Sequence, residues 1–313
     1  MYLDFFKLHS ERHKYGVRWL AEFRDTHKGS CPIGILVRCV DPRLFKVTDT
    51  DCLSKLLGKI FEYKTVGAVI SADDAMWRLL LSLYLENLEN CLKANNVPTG
   101  IIIVESHSDC EAIKLVHSMF RKLVSKRSTS RKPVKISKSV KEKHRISFSS
   151  ELINKFAPLS PIIQSVDIAF VKFMSSPEQV LKHVEDFVSE AILVAGSDIR
   201  ERYGPESFDN NVIANYLKKR PSPYREAFGL HMYICVSHAM NQIISLVTDD
   251  AIRDLFLQGK LELVAGLYDV FSASQYYFTL RRIAIRESYG LLRRYVATSA
   301  MKFDVFSFFD RVI

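Results

Sequence analysis

The chain has 313 residues, 48% of them hydrophobic, and its 44 Lys/Arg against 35 Asp/Glu give a formal net charge of +9. That supplies a large core for one or two domains, while no apolar run approaches the ~18 residues of a membrane span, so a transmembrane segment is not expected. Six cysteines (Cys31, Cys39, Cys52, Cys91, Cys110, Cys235) are too few and too scattered for a disulfide scaffold and point to the cytoplasm or another reducing compartment.

Residues 1–28 read as a helical arm, with Phe5, Leu8, Val17, Leu20 and Phe23 among charges. The arm lacks the basic-then-apolar order of a signal peptide, and Asp4, Glu11, Glu22 and Asp25 argue against a transit peptide. Cys31-Pro32 breaks the pattern, and the apolar run from Ile33 to Val37 predicts a strand ending at Cys39. Thr50 and Asp51 are placed to cap a helix through Leu53, Leu56, Leu57 and Ile60. Val66 to Ile70 reads as a second strand. Ser71 then caps a helix to about Lys93, with Asp73 and Asp74 in the first turn, where acids suit the dipole. After a loop over 95–100, Ile101 to Val104 is a third strand, and a helix follows from about Asp109 to Val124. Strand and helix alternate, which predicts an α/β fold with a mainly parallel central sheet flanked by helices.

The alternation stops at 125–150, a basic segment expected to be flexible. Eleven of the Lys/Arg and a single acid, Glu142, fall between Arg121 and Ile146, so the rest of the chain is close to neutral. From 151 to 224 the pattern is helical, including a helix opened by Pro177-Glu178 with Val180, Val184, Phe187, Val188 and Ile192 on one face; another helix is expected from Tyr224 to Val247. Asp249-Asp250 starts a further helix. A last strand pair is expected at 260–266 and 275–278, and the tail from Arg281 to Ile313 is basic, then aromatic, and packs as a helix or arm.

Two segments carry chemistry. Cys39-Val40-Asp41-Pro42-Arg43 follows the first predicted strand, and His107-Ser108-Asp109-Cys110 follows the third. Open α/β sheets place ligand sites at the carboxyl ends of their strands. Two thiolates and an imidazole are a three-ligand set with a vacancy, as catalytic zinc requires. Water on such a zinc loses a proton near pH ~7 and becomes a nucleophilic hydroxide. Asp41, two residues beyond Cys39, can accept a hydrogen bond from that water, with Arg43 holding the carboxylate in a bidentate pair. The competing arrangement has Asp41 itself on the metal, closing the site. The other cysteines read as packing residues, and His231 and His238, seven apart on a predicted helix, as core or surface histidines.

These residues resemble the β-class carbonic anhydrases, which carry Cys-x-Asp-x-Arg and then His-x-x-Cys at strand ends. The likeness continues at 72–82, which resembles the family's helix after its second strand, and at 258–270, which resembles its closing strand, glycine and Tyr-Asp. The resemblance implies a zinc domain in two pieces (29–124 and 225–280), interrupted by the basic segment 125–150 and a helical insertion 151–224, with a C-terminal extension over 281–313. It implies zinc on Cys39, His107 and Cys110, an Asp41–Arg43 dyad, reversible hydration of carbon dioxide to bicarbonate, and assembly as a homodimer or higher homo-oligomer. Related zinc chemistry on carbonyl sulfide or carbon disulfide is compatible with the same residues. The chain departs from the family pattern at Pro42, where Ser is usual, at Thr65 to Ala68, where Arg-Asn-Ala-Gly is usual, and at Glu111, where Gly is usual and a carboxylate could crowd the pocket or repel bicarbonate. The alternative function is a catalytically silent, zinc-stabilised scaffold that binds nucleic acid or another anionic assembly through 121–146, where eleven cations can neutralise several phosphates.

Overall fold

The computed structural model describes residues 32–44, 60–71, 74–116, 159–204, 219–298 and 304–312. The arm at 1–28, the helix expected from Thr50, Cys31, Cys52 and the basic segment 121–146 lie outside these residues. The core is a six-stranded mixed sheet: β1 (Gly34–Cys39), β2 (Ile60–Thr65), β3 (Gly100–His107), β4 (Leu261–Tyr268), β5 (Gln275–Leu280) and β6 (Phe309–Arg311). They lie in the order β2-β1-β3-β4-β5-β6. The first four are parallel; β5 and β6 join antiparallel. This is the mainly parallel α/β sheet expected from the sequence.

Strands β1, β3 and β4 are almost wholly buried, which is why their sequences are near-continuous apolar runs. Ile35, Val37, Ile102 and Val104 face the large core, while Leu36, Ile103 and Val264 belong to a smaller cluster, following the two-residue period of strands. The second strand differs from expectation. It runs from Ile60 to Thr65, and Val66–Ala68 is a tight 3-10 turn with Gly67 at φ 65°. Glu62 and Lys64 pair at 3.0 Å on this edge strand, so its polar alternation hid it. The apolar letters after it belong to a turn that the Thr65 hydroxyl ties to the Val69 carbonyl at 2.9 Å.

Helix α1 (Ala75–Asn95) is capped by Asp74 rather than Ser71: its carboxylate accepts from the backbone N–H of Met76 and Trp77. Trp77, Leu80, Tyr84, Leu88 and Leu92 form its buried stripe, and the Tyr84 hydroxyl donates to the Ile33 carbonyl at 3.0 Å. Helix α2 is described over 111–116. It starts two residues later than expected because Asp109 sits at φ 57°, a left-handed conformation no helix accommodates. The expected helix at Pro177 is two: α4 (Pro177–Lys182) and α5 (Glu185–Tyr203), preceded by α3 (Ser160–Ser175). Val180, Val184, Phe187 and Val188 are buried as the pattern required, whereas Ile192 is half-buried. At the break, His183 Nε2 lies 2.8 Å from Asp304.

Helix α6 (Pro223–Leu246) is buried on every side over its middle turns and packs against α3, α5, β3 and β4. It carries His231, Cys235 and His238 into the core, as packing residues were expected to lie. Helix α7 (Asp250–Leu257) is capped by Asp249. The tail forms helix α8 (Arg282–Thr298) and then adds β6 to the sheet edge.

An ion pair inside the sheet completes the frame. Arg38 and Glu105 are opposite one another on β1 and β3, both almost fully buried, with Nη2 and Oε1 2.6 Å apart. Removing one partner of such a buried pair costs about 3–5 kcal/mol because the other charge is stranded.

Candidate metal centre

Parallel pairing decides where the site forms. Since Arg38 pairs with Glu105, Cys39 and His107 end neighbouring strands within one step of each other. Beyond Cys39 the chain turns: Pro42–Leu44 is a single 3-10 turn, for which Pro42 presets φ, and the Arg43 N–H donates to Asp41 Oδ1 at 3.0 Å. Beyond His107 the turn is tied to the closing strand. The Ser108 N–H donates to the Tyr268 carbonyl at 2.9 Å, and its hydroxyl donates to Asp269 at 2.5 Å. Asp269 also accepts from the N–H groups of Phe271 and Ser272. The Tyr-Asp noted in the sequence therefore anchors the loop that presents His107 and Cys110.

The ligand atoms of Cys39, His107 and Cys110 lie within 4.8 Å of one another, and all three residues are buried. A tetrahedral zinc with bonds of about 2.0–2.3 Å holds its ligands closer than that limit, so the donor set fits the ion. The imidazole is prepared for it. His107 Nδ1 lies 2.8 Å from the Ser108 carbonyl, which assigns its proton there, and Nε2 is left buried without a hydrogen-bond partner among the described residues. The two thiols act on each other. The bond from Cys110 is the main reason the Cys39 thiol falls well below its ordinary pKa, with the His107 ring and the Gly67 N–H adding to it. The same contact, with burial, pushes Cys110 well above. A divalent cation would hold both as thiolates.

The turn at Thr65–Ala68 contributes to this site in a way its departure from the family pattern concealed. The Gly67 N–H donates to Cys39 Sγ at 3.2 Å. Glycine suits this position: its φ is 65°, and a Cβ would stand 2.6 Å from Ile162 Cδ1, so that side-chain end would have to move. Its carbonyl accepts from His238 Nε2 at 3.0 Å, and His238 Nδ1 is 3.0 Å from the Ser165 hydroxyl. Burial lowers His238 to about 4, so it stays neutral and serves as a strut. An unfolded histidine takes up its proton near pH ~6.5. The strut's contribution is therefore complete above that pH and declines as the pH falls toward about 4, by roughly 3 kcal/mol at most. Urea unfolding of the metal-free chain tests this: His238→Gln is less stable than the natural chain at pH 7, and the gap shrinks by pH 4.5. A gap independent of pH would contradict it.

Asp41 and Arg43 form a two-pronged pair, with Nε to Oδ1 at 2.9 Å and Nη2 to Oδ2 at 2.7 Å. Burial favours the neutral acid, but the bonds from Arg43 outweigh it and hold Asp41 below its usual pKa. Asp41 Oδ2 lies 3.7 Å from His107 Nε2, so the carboxylate borders the metal position. Of the two effects open to Glu111, crowding of the pocket does not occur. Its side chain is 63% exposed and pairs with Lys114 at 3.2 Å, because the first residue of α2 faces solvent. Pro42 is likewise exposed.

Sequence reasoning missed a second carboxylate. Asp109 is fully buried between His107 and Cys110, and four groups reach it. Oδ2 accepts from Arg43 at 2.7 Å and from Arg202 at 2.5 Å. Oδ1 accepts from the Tyr203 hydroxyl at 3.1 Å and also pairs with Lys114. Burial would raise this acid, yet Lys114 and Arg43 bring it down to about 2. Arg202 and Tyr203 come from α5, inside the stretch read as an unrelated insertion, and nothing in their local sequence points to the site. Of the remaining cysteines, Cys91 and Cys235 are buried; Cys235 Sγ is 3.5 Å from His231 Nε2, one helical turn away.

No protein-family model and no curated protein matches the chain. Solved structures do. The β-carbonic anhydrase CcaA is 17% identical, with 86% of this chain and 87% of that one covered at a TM-score of 0.36. The β-carbonic anhydrase CafA of Aspergillus fumigatus is 13% identical, with 95% and 99% covered at 0.36. Of two tetrameric β-carbonic anhydrases from Sordaria macrospora, the aligned chain is 12% identical, with 88% and 97% covered at 0.36. The chain thus combines a Cys-His-Cys group with a structural similarity to β-carbonic anhydrases.

Proposed function

We propose that Cys39, His107 and Cys110 hold a zinc ion and that the protein catalyses the reversible hydration of carbon dioxide to bicarbonate. The observation that carries this reading is the convergence of three buried donors, one of them an imidazole nitrogen that makes no hydrogen bond among the described residues, beside a paired Asp41 and Arg43. When bound, zinc supplies a water acidified enough to act as a nucleophile at neutral pH. Asp41 accepts a hydrogen bond from the nucleophile and orients it toward the substrate carbon. Arg43 fixes that carboxylate in its ionised form and in one rotamer. With both Asp41 oxygens occupied by Arg43, the pair favours an acceptor role for Asp41 over a place among the ligands.

The zinc domain is proposed to comprise 29–124 and 225–280, with 125–150 and 151–224 inserted and 281–313 appended, and to assemble as a homodimer or larger homo-oligomer. Among the described residues no helix is long and apolar enough to cross a membrane. Stopped-flow measurement of carbon dioxide hydration by the zinc-loaded chain tests the activity: a rate above buffer is expected. One zinc per chain with no such rate would leave the silent scaffold, with 121–146 as its anion-binding segment. Carbonyl sulfide and carbon disulfide, offered in parallel, distinguish the related substrates.

A further inference from the structure

We propose that Arg202 and Tyr203, at the last turn of α5, are positioning residues that keep the Asp41 carboxylate off the metal; this rests on the zinc reading above. A carboxylate has four lone-pair sites, and all four on Asp109 are taken, two by Arg43 and Lys114 and two by α5. Arg43 is bound to both acids at once: Nη1 and Nη2 reach the Asp109 carboxylate and carbonyl, at 2.7 and 2.9 Å, while Nε and Nη2 hold Asp41. Its position is thus only as fixed as that of Asp109, which stands on a left-handed turn. Arg202 is itself placed by the Phe271 ring, 5.7 Å away, on the loop that Asp269 organises. Helix α5 and the closing-strand loop therefore clamp Asp109, Asp109 clamps Arg43, and Arg43 holds Asp41.

Without the clamp, Arg43 loosens. Asp41, whose Oδ2 is already 3.7 Å from His107 Nε2, is then free to enter the vacant ligand position. A merely structural role for α5 would not change the ligands of the ion.

The full chain loaded with Co2+ tests this, because cobalt's visible bands report its ligand set. In Arg202→Ala/Tyr203→Phe the bands are expected to shift at pH 7 and hydration by the zinc-loaded form to fall about tenfold, within the range seen for outer-shell partners. Adding Asp41→Asn returns the bands to the natural position without returning activity, and Arg202→Lys retains the natural spectrum. Arg202 is 48% exposed, so Arg202→Gln alone is a variant that folds, and it shifts the bands in the same direction. Spectra that superimpose on the natural chain's, with cobalt bound at one per chain, overturn the clamp and leave the metal site standing. Failure of the natural chain to take up cobalt overturns both.

Discussion

Substituting any one of Cys39→Ser, His107→Gln or Cys110→Ser is expected to abolish both zinc retention and carbon dioxide hydration. Each residue supplies a third of the donor set, and the remaining two donors are too few for the closed tetrahedral sites or three-ligand catalytic sites zinc occupies. The loss of affinity exceeds the ~10–100-fold that follows removal of an outer hydrogen-bond partner. Measured by metal analysis after dialysis, the three variants come out metal-free, and the natural chain retains one zinc. The sheet does not depend on the metal for its packing: the larger of its two core clusters draws on β1, β3, β4, α1, α3, α5 and α6. The variants are therefore expected to fold. Retention of zinc by all three would contradict the site.

Changing the Asp41–Arg43 pair gives the second large effect, of a different kind. Asp41→Asn and Arg43→Lys leave the three ligands untouched and are expected to keep their zinc. Asparagine presents the nucleophile with one acceptor oxygen and an amide donor, and carries no charge. Lysine cannot form the two-pronged contact to Asp41 or span from Asp41 to Asp109 as the guanidinium does. Activity is expected to fall by about 10²–10⁴-fold, the range for loss of a group that manages a proton in the transition state. The fall appears in kcat with metal content unchanged, which separates it from ligand loss. Full activity in Asp41→Asn would remove the dyad from the mechanism while leaving the metal in place.

The parts of this molecule that were legible in its sequence are those encoded locally. Fully buried parallel strands leave unbroken apolar runs, and strand ends in such sheets gather side chains, so Cys39 and the His107/Cys110 pair stood out. Asp249 as a helix start and the burial of Val180, Val184 and Phe187 were also written in short stretches. What escaped depends on tertiary context. The strand Ile60–Thr65 is half polar and, among the described residues, has a strand on one side only, while the apolar turn after it imitates a strand. Gly67 reads as an ordinary small residue until its N–H is seen on Cys39 and its carbonyl on His238. Asp109 lay inside a recognised motif, yet its partners Arg202 and Tyr203 are about ninety residues further on, and no spacing rule connects them. Whether Glu111 crowds the pocket was open for a similar reason: a helix's first turn aims that side chain outward, which spacing alone does not reveal.

X-ray absorption at the zinc edge of the purified chain tests the central claim most directly. Two sulfur scatterers at about 2.3 Å with one or two nitrogen or oxygen scatterers at about 2.0 Å, and one zinc per chain, are the result expected of Cys39, His107 and Cys110. A zinc shell without sulfur, or a chain that binds no zinc when supplied with it, would contradict the claim.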